Sequence, residues 1–239
     1  MYFSAQKICK SFGDRQILKN IDISVGKDEI IGILGPNGSG KTTFFSILAG
    51  ITSADSGTIY LDNVDITNSQ MHNRAMNGLI YLPQDSSVFR GLSVENNIKA
   101  ILELKYKDKN TINEKLDLLL SMFSIDKIRK SKATSLSGGE KRKVEIARAL
   151  AANPVFLMLD EPFSGIDPIS VLDITEIIRN LNKIGIGIII TDHNVRETLS
   201  VLHRGYIIVN GEILFHGKAS EILQHNESRA LYLGKDFSM

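Results

Sequence analysis

The chain has 239 residues, with 28 Lys and Arg against 27 Asp and Glu, a formal net charge of +1. So even a balance gives no surface-wide field for nucleic acid, which is not expected as a partner, and the length suits one α/β domain with an embellishment. The single cysteine, Cys9, excludes an internal disulfide and any cysteine metal cluster, and fits a reducing compartment.

The first seven residues, Met1-Tyr2-Phe3-Ser4-Ala5-Gln6-Lys7, lack a basic segment followed by an apolar one, so no export signal is expected. The longest strongly apolar runs, near 155–159 and 186–190, are far too short to cross a bilayer. Any membrane role is expected to come through a partner.

Up to residue 34 the pattern predicts short strands and turns. Ile17-Leu18 precedes Ile21-Asp22-Ile23-Ser24-Val25, whose alternation predicts a half-exposed antiparallel strand. Phe12, in Ser11-Phe12-Gly13, is expected in a turn ahead of these strands, where an aromatic can pack in the core or stack on a base.

Glu29-Ile30-Ile31-Gly32-Ile33-Leu34 has the length and character of a buried strand, and Thr43-Phe44-Phe45-Ser46-Ile47-Leu48-Ala49 reads as a helix stopped by Gly50. Between them Gly35-Pro36-Asn37-Gly38-Ser39-Gly40-Lys41-Thr42 fits G-x-x-x-x-G-K-[ST] in the strand-to-helix context that motif requires. Small residues let backbone N–H groups wrap a polyphosphate, and the helix start adds partial positive charge. Lys41 is expected to reach the β and γ phosphates, and the Thr42 hydroxyl to ligate Mg2+.

Residues 57–62 predict a further strand, followed by a polar stretch to Asn77. Gly78-Leu79-Ile80-Tyr81-Leu82 predicts a buried strand ended by Pro83-Gln84. A glutamine at the carboxyl end of a parallel strand faces the ligand crevice of an open α/β sheet. Between 92 and 152 the character turns helical: Ser93 can cap a helix running to about 106, and Ile112, Leu116, Leu119, Leu120 and Phe123 make one apolar helical face. This stretch is expected to be a second, helical lobe. The lysines at 105, 107 and 109 read as a solvated loop, since acidic residues are interleaved.

Leu136-Ser137-Gly138-Gly139-Glu140 opens a helix expected over 141–152, with Ser137 and Glu140 at capping-box spacing. A capping box does not explain two consecutive glycines, which cost helix stability, so Ser137, Gly138 and Gly139 are also expected to offer amides to an anion. Val155-Phe156-Leu157-Met158-Leu159 then predicts a central parallel strand that delivers Asp160-Glu161 at its end. Paired carboxylates behind an apolar run suit a cation and a reacting group: Asp160 the Mg2+ shell, Glu161 the polarisation of an attacking water. A helix is expected over 169–183. The strand Ile186-Gly187-Ile188-Ile189-Ile190 ends in Thr191-Asp192-His193, where His193 can hydrogen-bond a γ-phosphate and hold the water in line. A hairpin across Asn210-Gly211 and a tail over 220–239 with one short helix complete the chain, which carries no internal repeat.

In this order, the P-loop, Gln84, Leu136-Ser137-Gly138-Gly139-Glu140, Leu159-Asp160-Glu161-Pro162 and His193 resemble the nucleotide-binding subunit of an ABC transporter over essentially the whole chain. The resemblance implies an α/β P-loop NTPase core with a parallel sheet, an N-terminal antiparallel β lobe and the helical lobe at 92–152, all in one nucleotide-binding domain. It implies that Phe12 stands where the family stacks an aromatic on adenine. It also implies that ATP binds through Gly35 to Thr43 and, from a second copy, Ser137-Gly138-Gly139. Thr42, Gln84 and Asp160 would serve Mg2+, and Glu161, His193 and Gln84 would serve hydrolysis. Tyr81-Leu82-Pro83-Gln84, Asp167-Pro168-Ile169-Ser170-Val171, Thr191-Asp192-His193-Asn194-Val195-Arg196-Glu197 and Tyr232-Leu233-Gly234-Lys235-Asp236-Phe237 are similar to lipopolysaccharide-export members. These imply a cytoplasmic homodimer on the inner face of the inner membrane, docked on permease subunits through the segment of Phe89 and Arg90. Phe89-Arg90-Gly91 has glycine where a second arginine is expected. An importer of small solutes such as branched-chain amino acids would share the catalytic motifs, and a soluble non-transport ABC ATPase is the other reading.

Overall fold

The computed structural model describes residues 1–228, 230 and 231. Its centre is a six-stranded sheet in the order β10-β9-β3-β8-β7-β6. These strands are β3 (Ile30–Leu34), β6 (Leu79–Leu82), β7 (Phe156–Asp160), β8 (Gly187–Thr191), β9 (Arg204–Val209) and β10 (Glu212–Lys218). All neighbours pair in parallel except β9 and β10, which form the hairpin expected at Asn210-Gly211. The central strands are continuous apolar runs because both faces are covered. Ile31, Ile33, Phe156, Met158 and Ile189 belong to one core, while Ile30, Leu34, Leu157, Leu159, Ile188 and Ile190 belong to the other.

The first core is closed by a four-stranded sheet in the order β2-β1-β4-β5, made of β1 (Tyr2–Phe12), β2 (Arg15–Gly26), β4 (Ser56–Leu61) and β5 (Val64–Asp65), and by α1 (Lys41–Ala49). Sequence predicts only short strands before residue 34, whereas β1 and β2 span 11 and 12 residues. Their pairing shifts register between Ala5 and Ile8, between Ile8 and Lys10 and between Lys10 and Ser11, and Lys7 and Asn20 both take φ 51°. Each bulge breaks the period-two alternation that betrays a long strand. Phe12 closes β1 rather than lying in the turn.

The second core is covered by α3 (Val94–Lys105), α4 (Lys109–Met122), α5 (Gly138–Ala151), α6 (Pro168–Lys183) and α7 (Val195–Val201). Ser93 caps α3, Asp108 caps α4 and Asp167 caps α6 with Pro168 in its first turn. The apolar face predicted for α4 is buried throughout, as is Phe123 just after it. The α5 helix begins at Gly138, earlier than expected, because the Ser137–Glu140 capping box encloses both glycines in the first turn.

The polar stretch before Asn77, to which the sequence reading assigned no element, holds α2 (Met71–Met76). Its Arg74 is 2% exposed and donates to the carbonyls of Ile47 at 2.8 Å and Leu48 at 2.7 Å, at the carbonyl end of α1, and to those of Ser69 and Thr67. Burial lowers its pKa to about 10. In the tail, α8 (Ala219–Gln224) and α9 (Asn226–Ser228) are formed, and the similarity noted at 232–237 lies outside the described residues.

Candidate functional site

Four adjacent parallel strands end at one edge of the central sheet and deliver the predicted groups there: the loop after β3, Gln84 after β6, Asp160-Glu161 at the end of β7 and Asp192-His193 after β8. That edge is where open α/β sheets bind ligands. A cleft of about 450 Å3 opens here, lined by Asn37, Gly38, Gly40, Lys41, Thr42 and Thr43 together with Arg15, Ile17 and His193.

Lys41 is 6% exposed, and its ammonium donates to the carbonyls of Gly35 at 2.7 Å and Pro36 at 2.9 Å. No carboxylate pairs with it among the described residues; burial lowers its pKa and the charge of Glu161 opposes that shift. A buried cation held only by its own loop is under-compensated, which fits an incoming phosphate. Gly35 takes φ 144°, and a Cβ there would sit 2.1 Å from the Ile208 carbonyl oxygen, so the loop leaves β3 in a course open only to glycine. The Ser39 hydroxyl is buried without a partner. Thr42 is exposed at the cleft wall.

Behind the cleft the acidic groups are wired together. Glu161 receives the Gln84 amide at 2.7 Å on Oε2 and lies 2.8 Å from His193 Nε2 through Oε1. Its backbone takes φ 46°, an unfavourable region for a side chain of this size, and its N–H donates to the Thr191 carbonyl at 2.7 Å. The three residues predicted for hydrolysis are thus brought together, with Glu161 in the middle. Asp160 is 6% exposed, and burial raises its carboxyl pKa. Tyr81 donates to its Oδ2 at 2.8 Å, while the Arg142 guanidinium goes to its carbonyl at 2.9 Å and to that of Pro83 at 3.0 Å. Burial, then the bond to Asp160, raises the Tyr81 phenol pKa and keeps it a donor. Asp192 accepts the N–H groups of Phe163 at 2.9 Å and Asn194 at 2.7 Å, fixing the turn after Glu161.

No group of three or more His, Cys, Asp or Glu able to cage a metal occurs among the described residues. A buried carboxylate at the end of β7 and a threonine hydroxyl in the phosphate cradle suit Mg2+, which binds through one or two protein oxygens and substrate phosphates. Gln84 donates to Glu161 through its amide nitrogen, and the amide oxygen is the atom with which it would ligate a cation.

Phe12 and the Ser137 helix start stand apart from these groups. Phe12 is 55% exposed, which overturns core packing, and Lys10 lies over its ring at 5.4 Å. Its face is exposed and does not line the cleft. Ser137 and Gly138 are exposed, whereas Gly139 is buried against α6: a Cβ there would sit 2.0 Å from Ser170 Oγ. The second glycine therefore has a packing reason that the sequence reading missed.

Sequence reasoning also missed Arg15, Ile17, Tyr81 and Arg142. Tyr81 was hidden in an apolar run; the i,i+3 pair of Arg142 with Glu145, 3.1 Å apart and almost fully buried, is visible as a spacing but not as a depth. Glu145 in turn holds the Ser86 hydroxyl at 2.8 Å and the Ser87 N–H at 2.7 Å. The segment beyond is pinned by Asn97, which bonds both the N–H and the carbonyl of Phe89. The Phe89 ring is 47% exposed with the Arg148 guanidinium 4.9 Å from its centre. Arg148 also lines an apolar groove of about 560 Å3 along the open edge of β6, with Ala75, Met76, Ile80, Tyr81 and Leu104 among its walls.

Residues 18–164 match the family described as ABC transporter. The chain belongs to the ABC transporter ATP-binding family. It is 49% identical over 235 residues to an uncharacterized ABC transporter ATP-binding protein of Rhizobium meliloti, covering 98% of this chain and 87% of that one. It is 47% identical over 239 residues to the lipopolysaccharide export system ATP-binding protein LptB of Escherichia coli, covering 99% and 98%. It is also 47% identical to LptB of Haemophilus influenzae, over 238 residues, 99% of this chain and 98% of that one. Among solved structures, the ADP conformation of an ATP-binding cassette of an ABC transporter superposes with a TM-score of 0.88 at 29% identity, covering 98% of this chain and all of that one. As an ABC ATPase the chain binds and hydrolyses ATP in the service of transport, and its α/β P-loop fold is that of the family's cassettes.

Proposed function

We propose that this protein is the ATPase of a lipopolysaccharide exporter, one nucleotide-binding domain with a helical lobe at 92–152, acting as a homodimer on the cytoplasmic face of the inner membrane. The observation that carries the hydrolytic half is the chain of contacts Gln84–Glu161–His193, whose histidine lines the phosphate cleft. The export half rests on the near-full-length likeness to LptB of several species. No helix among the described residues is long and apolar enough to cross a membrane, so coupling runs through permease subunits.

In this reading the loop from Gly35 to Thr43 wraps the triphosphate, and Lys41 turns from its own carbonyls to the β and γ oxygens. Thr42 and Asp160 would hold Mg2+, which supplies neutralisation of phosphate charge when bound. Glu161 orients water and accepts its proton. His193, sharing Glu161 with Gln84, holds the line between that water and the γ-phosphate. Phe12 offers a π face to the adenine from the rim, and Ser137-Gly138-Gly139 of one copy closes the cradle of the other. Loss of the γ-phosphate releases that closure, and the loosened dimer moves the permease. Phe89, Arg90 and the neighbouring groove along β6 form the docking face.

Copurification from native membranes tests this reading: permease subunits with bound lipopolysaccharide are the expected result. Retention of solute-importer permeases would move the chain to an importer, and capture of ribosomes or DNA alone would make it a non-transport ATPase.

A further inference from the structure

Tyr81 touches three parts of the molecule that the reaction must keep in register. Its hydroxyl is the one hydrogen-bond donor to the Asp160 carboxylate among the described residues, at 2.8 Å. Its ring packs on Phe45 of α1, centroid to centroid at 6.5 Å with the planes tilted by 60°, and Phe45 is fully buried in the helix that carries Lys41 and Thr42. The same residue lines the apolar groove on the edge strand. Arg142, the nearest cation, spends its hydrogen bonds on the Asp160 and Pro83 carbonyls and on Glu145, so it does not fix the carboxylate itself.

We propose that Tyr81 is a positioning residue for the cation site: its hydroxyl fixes the rotamer of Asp160, and its ring keys that rotamer to the P-loop helix. A carboxylate has two oxygens and a broad terminal torsion, so a bond to Oδ2 leaves Oδ1 aimed in one direction. Partners of this kind, one step removed from a metal, set ligand orientation, and their loss costs roughly 10- to 100-fold in metal affinity or activity. The proposal rests on the assignment of Asp160 to Mg2+ made above.

The test uses the full-length protein with Glu161→Gln in every sample, so that nucleotide is bound without turnover, and reads the Mg2+ concentration at half-saturation of a fluorescent ATP analogue. Tyr81→Phe keeps the ring on Phe45 and removes only the hydroxyl. The expected result is a rise of about tenfold in the Mg2+ half-point, with binding of the analogue in excess chelator unchanged. A half-point within twofold of the parent would overturn the proposal and leave Tyr81 as packing. Adding Asp160→Asn to Tyr81→Phe is expected to give the same half-point as Asp160→Asn alone, because the tyrosine acts through that carboxylate; an additive shift overturns the proposal too. Should Asp160→Asn by itself leave the Mg2+ dependence unaltered, the metal assignment falls and the tyrosine link falls with it. If Tyr81→Phe melts more than 10 °C below the parent, the half-point of both proteins is read at a temperature well below the variant's transition, and a value within twofold of the parent still counts against the idea.

Discussion

Replacing Gly139 by alanine is expected to destabilise the protein, whereas the same change at Gly138 is not. A Cβ on Gly139 would lie 2.0 Å from Ser170 Oγ and 2.5 Å from Ser170 Cβ, more than an ångström inside ordinary contact at the first and nearly one at the second. Rotating the serine does not clear its Cβ, and its hydroxyl already donates to Asp167 Oδ2 at 2.6 Å, the residue that caps α6. The starts of α5 and α6 must therefore part. Overpacking of this kind costs typically 1–3 kcal/mol, and a strained cap adds about 1 kcal/mol, for a total of about 2–4 kcal/mol. In a chain of this length that lowers the melting temperature by roughly 5–10 °C. At Gly138 the nearest atom to an added Cβ is the Gly165 carbonyl at 3.1 Å, tight but yielding, and alanine in place of glycine gains roughly 0.5–1 kcal/mol in a helix. Urea melts of the two variants, with and without Ser170→Gly, measure the difference. Equal stability of the variants within 0.5 kcal/mol, or no recovery of Gly139→Ala by Ser170→Gly, would refute the packing account of the second glycine and return both glycines to nucleotide contact.

Further outcomes are expected at the carboxylates and the docking face. Glu161→Gln should keep ATP binding, because the amide can still accept from Gln84, and lose about 10²- to 10⁴-fold in turnover; single-turnover phosphate release checks this, and undiminished hydrolysis removes Glu161 from its role. Burial raises the Asp160 carboxyl above its ordinary value of 3.8, so the folded chain binds that proton more tightly than the unfolded one. By linkage the nucleotide-free protein loses stability on this account as pH rises from about 3.8 through the raised value, and the penalty stays in full above it. Asp160→Asn is then expected to melt higher than the parent at neutral pH without nucleotide, with the gap closing in acid; a gap that widens in acid contradicts the assignment. Phe89→Ala should leave ATP turnover of the isolated protein intact while weakening permease retention by about 30-fold, the scale of an aromatic anchor, in a pull-down from membranes.

The P-loop was legible because its residue types and its strand-to-helix setting are both local. The same holds for the capping box at Ser137 and the strand-end positions of Gln84, Asp160 and His193. What joins them is not local: that Gln84 and His193 share Glu161 depends on β6, β7 and β8 lying side by side, which the chain order does not state. The long strands β1 and β2 escaped detection because bulges interrupt their alternation, and α2 and α7, at 6 and 7 residues, are too short for a helical period to stand out. The packing reason for Gly139 lies on Ser170, 31 positions away, and no pattern of neighbours reveals it.

The helix that presents Lys41 is held by a cation at each end: the lysine folded onto the loop at its start, and Arg74 on the carbonyls of Ile47 and Leu48 at its finish. Because Ala75 and Met76, next along the same turn of α2, form part of the groove wall, the guanidinium is a strut between that wall and the rear of the phosphate-binding helix. The groove wall and the carbonyl end of the phosphate-binding helix are thus tied through one side chain.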